Sequence, residues 1–245
     1  MAEWWEEAFR ADYLRVYPHR DDAAAAAEVN AWLGRLPGLV RGARVLDLAC
    51  GAGRHLRAMR AAGIRAVGAD LSADLLIEAR GRGAEGLVRC DMRRLPFRES
   101  AFDLVTCFFT SFGYFRTQEE DAAALHEAGR VLAVGGVLLL DLADPASTLR
   151  DLVPRTERTQ GGVTVIEERR ASANGWLIEK QVTLREGARE RRWRESVHIY
   201  PPDFVEEMAS GAGLRPLGRF GEHGPRPWRS GGTARCVMVL RKAAA

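Results

Sequence analysis

A short apolar segment runs directly into a glycine-rich turn near residue 50, and a helical pattern follows it. The segment reads Val45-Leu46-Asp47-Leu48-Ala49-Cys50-Gly51-Ala52-Gly53. In it a buried strand leads to two glycines that let the backbone approach a ligand closely. A helix beginning near Arg54 presents unpaired N–H groups to the turn. This strand–turn–helix unit predicts an α/β fold with a ligand site at the turn.

The alternation of strand and helix continues as far as residue 141. Ser72 is an N-cap signal, and Thr117-Gln118-Glu119-Glu120 is a capping box that opens another helix. Gly135-Gly136 is expected to end that helix. Strands are predicted at 44–49, 64–70, 87–90, 102–108 and 137–141. Strict alternation implies right-handed crossovers and therefore a parallel sheet covered by helices on both faces.

Beyond residue 144 the pattern changes to that of extended chain. Three charge-laden segments, at about 163–170, 176–184 and 191–200, are separated by turn signals at Asn174-Gly175 and Glu186-Gly187. They predict an antiparallel β insertion. One face of its central segment is expected to carry Trp176, Ile178, Val182 and Leu184. A short helix and two final strands, at about 215–220 and 234–241, complete the pattern.

Four regions follow from these patterns. Asp21 and Asp22 supply an N-cap and favourable dipole charge to an amphipathic helix near the start of the chain. The predicted regions are an N-terminal helical cap at 1–42, a ligand-binding core at 43–150, the β insertion at 151–200 and the end of the core sheet at 201–245.

The composition excludes several protein classes. With 47% hydrophobic and 28% charged residues the chain is an ordinary globular protein, and it holds no apolar run near the roughly 18–20 residues of a membrane span. The first residues lack the basic and apolar regions of a signal peptide, so a cytoplasmic location is expected. Without Cys-x-x-Cys spacing, the cysteines are predicted to be buried reduced thiols and no metal site is expected. They are Cys50, Cys90, Cys107 and Cys236.

Two details at the glycine turn narrow the choice of ligand. A dinucleotide fingerprint would place a third glycine at position 56, where this chain has Leu56. Asp47 lies four residues before the first glycine, which suits a ligand with a cationic amino-acid end better than a pyrophosphate.

Two further acids lie at the ends of predicted strands or directly after them. Asp70 ends the second strand, where a carboxylate can accept from both hydroxyls of a ribose, although a strand-end turn residue or N-cap is the alternative. Asp91 follows the third strand and can accept from an adenine amino group. Met92 beside it offers a soft contact to the ring.

Further motifs follow at Leu95-Pro96-Phe97, Phe102-Asp103-Leu104-Val105 and Arg130-Val131-Leu132-Ala133-Val134-Gly135-Gly136. In this order and spacing, the motifs between about residues 43 and 142 resemble the class I S-adenosylmethionine-dependent methyltransferases. The chain departs from that family at Ala133-Val134, where Lys-Pro is commoner.

The resemblance implies a Rossmann-like α/β fold with a seven-stranded, mostly parallel sheet whose last strand is antiparallel. S-adenosyl-L-methionine would lie across the carboxyl ends of the first two strands. By motif position, Gly51 and Gly53 would line its methionine part, Asp70 with Leu71 its ribose, and Asp91 with Met92 its adenine. Ala49 and Phe108 would offer backbone carbonyls to its amino group.

The segment before the first long helix is similar to that of small-molecule methyltransferases of the glycine N-methyltransferase kind. The similarity implies that Arg20 binds the cofactor carboxylate and that Tyr17 or Tyr13 lies near the sulfonium. A surface arginine and packing tyrosines are the alternative.

The acceptor is expected at the loop 109–115, after the fourth strand. This loop lacks the Asn/Asp-Pro-Pro-Tyr type motif of nucleotide-base amino methyltransferases, which argues against that substrate. If a general base is used, Tyr114, His198 and Tyr17 are the candidates, although a histidine on a strand is commonly structural.

The favoured hypothesis is methyl transfer to nitrogen or oxygen of a small molecule, with the insertion as a lid or a homodimer surface. A tRNA or rRNA acceptor is the first alternative, bound by the arginines between 185 and 194. Glutamates mixed among them and a net charge of only +3 weaken a phosphate-binding track. The others are a nicotinamide-dependent oxidoreductase and a binding module without turnover.

Overall fold

The computed structural model describes residues 3–17, 22–37, 39–221, 224 and 226–244. Its strands are β1 (Arg44–Leu48), β2 (Arg65–Asp70), β3 (Leu87–Arg89), β4 (Phe102–Cys107), β5 (Leu132–Ala143), β6 (Arg155–Gln160), β7 (Val163–Ala171), β8 (Leu177–Glu186), β9 (Arg189–His198), β10 (Leu214–Phe220) and β11 (Arg235–Lys242). Its helices are α1 (Trp4–Ala8), α2 (Tyr13–Val16), α3 (Asp22–Trp32), α4 (Arg54–Ala61), α5 (Ala73–Gly81), α6 (Gln118–Val131), α7 (Pro145–Arg150) and α8 (Pro202–Gly211).

Seven strands form the main sheet in the order β10-β11-β5-β4-β1-β2-β3. β1 to β5 pair in parallel, whereas β11 is antiparallel to both of its neighbours. The predicted Rossmann-like sheet with an antiparallel last strand is therefore confirmed. The strand order reverses between β1 and β4, and ligands of open α/β sheets bind at the carboxyl ends of the strands at such a point.

Local signals in the sequence set two of the helix starts. Ser72 Oγ accepts a hydrogen bond from Leu75 N–H at 3.1 Å, and Thr117 Oγ1 accepts from Glu120 N–H at 3.3 Å. Each bond satisfies one of the N–H groups that a helix N-terminus leaves unpaired. The caps fix where α5 and α6 leave the carboxyl edge of the sheet.

The end of α6 differs from the prediction. The helix ends at Val131 rather than at Gly135-Gly136, because Leu132 is already extended, with φ −72° and ψ 139°, and pairs with Phe102. β5 therefore begins at Leu132 instead of residue 137 and is 12 residues long. Gly135, with φ +77°, lies inside an irregular part of this strand.

The β insertion after the fifth strand is a separate four-stranded antiparallel sheet in the order β6-β7-β8-β9. Three strands were predicted, and β6 was missed because its residues are almost all polar and exposed. Pairing with β7 holds β6 in place. The short helix α7 was missed too, although Asp144 caps it, accepting from Ser147 N–H at 2.7 Å.

The N-terminal segment packs on the insertion. A buried cluster joins Val16 and Tyr17 to Val165, Val182 and Trp193 of the insertion. Within the residues that the structure describes, no helix has the length and apolar character needed to span a bilayer. Cys50, Cys107 and Cys236 are buried free thiols as predicted, whereas Cys90 is only half-buried.

Candidate active site

A cavity lies at the carboxyl ends of β1, β2 and β4, where the strand order reverses. We call it the cofactor cavity. The structure brings many of the predicted site residues together along its wall. They are Tyr13, Asp47, Ala49, Gly51, Asp70, Leu71, Asp91, Met92, Phe108 and Tyr114.

Asp47 is the most deeply buried acid of the wall, with 1% of the residue exposed. Thr106 Oγ1 donates to its Oδ1 at 3.1 Å. Its other oxygen, Oδ2, is buried and has no hydrogen-bond partner among the described residues. Burial raises the pKa of Asp47 to about 7. An unsatisfied carboxylate oxygen beside a cavity favours a ligand that carries an ammonium group.

Asp70 is fixed by backbone groups on both sides. Its Oδ2 accepts from Gly51 N–H at 2.7 Å and its Oδ1 accepts from Ser72 N–H at 2.8 Å. Burial raises the pKa of Asp70, although these backbone bonds oppose the shift. Each oxygen of the Asp70 carboxylate can accept a further hydrogen bond, so the two oxygens together can bind two adjacent hydroxyl groups.

Asp91 is held by an ion pair at the cavity wall. Arg93 Nη2 lies 2.6 Å from Asp91 Oδ2, and Arg93 N–H donates to Oδ1 at 2.8 Å. Burial alone would raise the pKa of Asp91, but the bonds from Arg93 outweigh it and lower the pKa. The carboxylate is therefore ionised at neutral pH and can accept from an amino group of a base.

The glycine turn combines a cavity-facing residue with a packing residue. Gly51, with φ +52°, lines the cavity, as does Ala49 two residues earlier, which also has a positive φ of 56°. Gly53, also predicted to line the methionine part of the cofactor, is not among the residues that line the cavity. A Cβ there would lie 3.0 Å from Ala84 and 3.2 Å from Ala79, so this glycine allows α4 to pack closely on α5.

The loop after β4 is held in a strained conformation. Phe109 and Thr110 have φ values of 61° and 56°, a region that residues other than glycine rarely adopt. Asp141 of β5 stabilises both: its Oδ2 accepts from Phe109 N–H at 2.7 Å and its backbone oxygen from Thr110 N–H at 2.9 Å. Strain of this kind concentrates at functional sites.

Aromatic side chains of the N-terminal segment close one side of the cavity. Trp5 and Phe9 line it with Tyr114, whose backbone oxygen accepts from Trp4 Nε1 at 3.1 Å. The rings of Phe9 and Tyr114 lie 5.5 Å apart. Trp5 and Phe9 were not predicted, although their spacing of four residues is the spacing that places two side chains on the same face of a helix.

A buried polar network borders the cavity and was also missed. Glu28 of α3 binds His55 Nε2 at 2.6 Å and Arg235 Nη2 at 2.7 Å. Burial lowers the pKa of His55 to about 4, so its ring is neutral at pH 7. Arg54 lines the cavity and lies 4.3 Å from the Phe109 ring. The position of Arg54 and His55 directly after the glycine turn was the available signal.

Two of the candidate bases lie elsewhere. Tyr17 donates from its hydroxyl to Glu195 Oε2 at 3.0 Å, and burial raises its pKa, so it stays protonated. His198 Nδ1 lies 3.2 Å from Asp121 Oδ2, and its ring stacks on Tyr200. Neither is among the residues that line the cofactor cavity. Among the candidate bases, the geometry therefore favours Tyr114. Arg20 lies outside the described residues.

The side chains of the cavity fit S-adenosylmethionine. The buried Oδ2 of Asp47 is an acceptor that an ammonium group would satisfy, Asp70 offers two fixed acceptors, and Arg54 offers a guanidinium. Asp91 and Met92 lie together on the wall. In S-adenosylmethionine the ammonium group would pair with Asp47, the ribose hydroxyls with Asp70 and the carboxylate with Arg54. The adenine would lie against Asp91 and Met92.

Comparison with known proteins finds a family that the core resembles. Residues 45–136 match the family described as "Methyltransferase domain". The observed strand order is that of a class I, Rossmann-like methyltransferase, so in fold and sequence this part of the chain is similar to the S-adenosylmethionine-dependent methyltransferases.

Individual curated relatives match only part of the chain, at moderate sequence identity. The chain is 36% identical over 99 residues to "Probable tRNA methyltransferase 9B" of Mus musculus, covering 40% of this chain and 21% of that protein. It is 34% identical over 159 residues to "dTDP-3-amino-3,6-dideoxy-alpha-D-glucopyranose N,N-dimethyltransferase" of Streptomyces fradiae, covering 64% of this chain and 60% of that protein.

A solved structure resembles the whole fold. The CcbJ methyltransferase from Streptomyces caelestis is similar with a TM-score of 0.78 and 21% identity, over 97% of this chain and 98% of that chain. Because the identity is low, this likeness concerns the fold, including the β insertion.

Proposed function

We propose that the chain transfers a methyl group from S-adenosylmethionine to a nitrogen or oxygen nucleophile of a small molecule. The observation that carries the proposal is the pair of acids at the glycine turn. Asp47 presents a buried, unsatisfied oxygen to the cavity, and Asp70 presents two oxygens oriented by Gly51 and Ser72. The two acids suit an ammonium group and a ribose in one ligand.

The residues act mainly by binding and alignment. S-adenosylmethionine supplies, when bound, a methyl group that its sulfonium activates. Asp47, Asp70 and Asp91 hold the ligand by its polar ends, and the strained backbone of Phe109 and Thr110 fixes the loop beside it. Phe9 and Tyr114 exclude water from the reacting groups, which favours direct displacement. Tyr114 is the candidate for accepting a proton from the nucleophile.

Charge pairing within the insertion favours a small acceptor over RNA. Each of the arginines expected to bind RNA has a carboxylate within 4 Å, as with Arg185 and Glu190 at 2.5 Å or Arg191 and Asp12 at 2.5 Å. The others are Arg189, Arg192 and Arg194. Paired guanidinium groups release fewer counterions on binding phosphate. The sugar-amine relative covers 64% of the chain, against 40% for the tRNA relative.

A thermal-shift comparison of S-adenosylhomocysteine, NAD and NADP tests the cofactor. At about 100 times its Kd a ligand adds about 2.7 kcal/mol, which for a chain of this size raises Tm by roughly 5–10 °C. We expect this shift with S-adenosylhomocysteine alone, and Asp70→Ala should reduce the shift measured from the variant's own unliganded Tm while the variant remains folded. Stabilisation by NAD or NADP instead would refute the proposal.

Three further hypotheses accompany this proposal. They are the cytoplasmic location, the role of the insertion as a lid or homodimer surface, and the division of the chain at residues 42, 150 and 200. The buried cluster that contains Tyr17 and Trp193 supports the role of the insertion as a lid. It joins the insertion to the N-terminal segment that borders the cofactor cavity.

A further inference from the structure

A second cavity lies between α7 and the β insertion, and we call it the insertion cavity. It measures about 450 Å³, within the range of about 300–1,000 Å³ that small-molecule sites occupy. Ser147 and Thr148 of α7 form one wall, and Ile178 and Val197 of the insertion form part of the other. Since α7 follows β5 directly, the insertion cavity lies at the same edge of the main sheet as the cofactor cavity.

A pair of tyrosines connects the two cavities. Tyr13 lines the cofactor cavity, and its ring lies 4.8 Å from the ring of Tyr17. The Tyr17 hydroxyl bonds to Glu195 and to Lys180, and both of these residues line the insertion cavity. The insertion cavity is therefore one aromatic pair away from the groups expected to hold the methyl donor.

The charges of the insertion cavity are balanced and mostly paired. Lys180 Nζ lies 2.7 Å from Glu195 Oε2, and Arg169 Nη2 lies 2.9 Å from Glu167 Oε1 behind the wall. Two cations, Lys180 and Arg169, and two anions, Glu195 and Asp151, contribute to the lining. Such a wall offers donors and acceptors to hydroxyl groups without a net field that would attract a phosphate chain.

The remaining lining suits the carbon skeleton of a sugar. Ile178, Val197 and Leu152 give apolar contact, while the hydroxyls of Ser147, Thr148 and Thr156 can exchange hydrogen bonds. A few polar groups among apolar ones are typical of sites that orient a small ligand.

We propose that the insertion cavity binds the body of the methyl acceptor, a hydroxyl-rich molecule of monosaccharide size that carries no phosphate. The reacting nitrogen or oxygen then extends past Tyr13 toward the cofactor cavity. This inference rests on the proposed methyltransferase function, and it assigns substrate selection to the insertion.

Isoleucine methyl NMR tests the assignment on the intact chain. The sequence has five isoleucines, Ile64, Ile77, Ile166, Ile178 and Ile199, and among the residues lining the two cavities Ile178 is the sole isoleucine. With S-adenosylhomocysteine saturating, 3-amino-3-deoxy-D-glucose at millimolar concentration should shift the Ile178 signal and leave that of exposed Ile77 in place. Ribose 5-phosphate should not shift Ile178. An unmoved Ile178, or a larger shift with the phosphate, overturns the inference.

A matched pair of variants separates the inference from the proposed function. Ile178→Trp fills the insertion cavity, whereas Ile77→Trp places the same ring on the surface, where Ile77 is 71% exposed. By calorimetry, Ile178→Trp should weaken binding of the amino sugar at least tenfold and Ile77→Trp should not, while both keep the affinity for S-adenosylhomocysteine. If wild-type protein fails to bind S-adenosylhomocysteine, the proposed function fails. If only the sugar result fails, the insertion cavity is not the acceptor site.

Discussion

Asp47 is poised between its neutral and ionised forms near pH 7. Burial raises its pKa to about 7, and Oδ2 has no partner among the described residues to stabilise the charge. Because the pKa of Asp47 is higher in the folded chain than in the unfolded chain, protonation of this carboxyl stabilises the unliganded fold. The contribution is complete at a pH below the ordinary pKa of an aspartate and is lost as the pH rises through about 7. A cationic group of a ligand, in contrast, binds the ionised form of Asp47 and is therefore bound more tightly at higher pH.

The affinity for S-adenosylhomocysteine should therefore depend on pH. The ionised fraction of Asp47 falls about tenfold between pH 8 and pH 6, and the association constant should fall by about the same factor. Asp47→Asn should bind more weakly at pH 8 and show a flat profile over this range. Isothermal titration calorimetry measures both, and a wild-type affinity independent of pH would show that Asp47 does not bind the ligand's ammonium.

Gly53 is predicted to act through packing rather than ligand contact. Gly53→Ala places a Cβ at φ +74° and 3.0 Å from Ala84, whereas Gly83→Ala meets nothing within 4 Å at φ +82°. We expect Gly83→Ala to lower the free energy of unfolding by about 1 kcal/mol and Gly53→Ala by at least about 1 kcal/mol more. Urea denaturation measures the difference, and equal losses in the two variants would remove the packing argument.

The motif residues were predictable because their residue types and their positions relative to the strands indicate a binding role. Asp47 lies near the end of β1, Asp70 ends β2, and Gly51 and Asp91 come shortly after β1 and β3. The carboxyl ends of parallel strands meet at one edge of a sheet, so these residues lie together. Residues joined only by tertiary packing were not predictable. No local pattern connects Glu28 of α3 with Arg235 of β11, 207 positions away.

At the scale of elements, Asp121 joins the insertion to the core. This buried acid near the start of α6 accepts from the Tyr200 hydroxyl at 2.7 Å and lies 3.2 Å from His198 Nδ1. The end of β9 also approaches the loop after β4 closely, since His198 N–H donates to the Gly113 oxygen at 2.7 Å. His198 is thus better explained as a docking residue than as a base.

Asp121→Asn should loosen this junction. The variant removes the charge that strengthens the bonds from Tyr200 and His198, so we expect a loss of about 1.5–3 kcal/mol in the free energy of unfolding. Amide hydrogen exchange should become faster at 109–115 and 196–200. Glu207→Gln, at an exposed position of α8, is the control and should change stability by less than about 0.5 kcal/mol. Unchanged exchange at both segments would contradict the docking role.

Elements with clear periodicity were predicted and the others were missed. The parallel strands of the core are short apolar runs between capped helices, so their order and type could be inferred. β6 has polar, exposed residues and exists because β7 pairs with it, which no local pattern reveals.

At the scale of the whole molecule, the two sheets divide the proposed work. The main sheet places Asp47, Asp70 and Asp91 around the cofactor cavity, and the insertion supplies most of the wall of the insertion cavity. The methyl donor was inferable from ordered motifs. The acceptor was not, because its proposed site arises where α7 and the insertion meet.

Transfer of a labelled methyl group tests the central claim most directly. The protein is incubated with S-adenosyl[methyl-¹⁴C]methionine and either total RNA or a metabolite extract below 3 kDa, with Asp70→Ala as the control. We predict label in the small-molecule fraction with equal formation of S-adenosylhomocysteine, and a loss of at least tenfold in Asp70→Ala. Label in RNA, or no S-adenosylhomocysteine formed by wild-type protein that binds it, would contradict the proposed function.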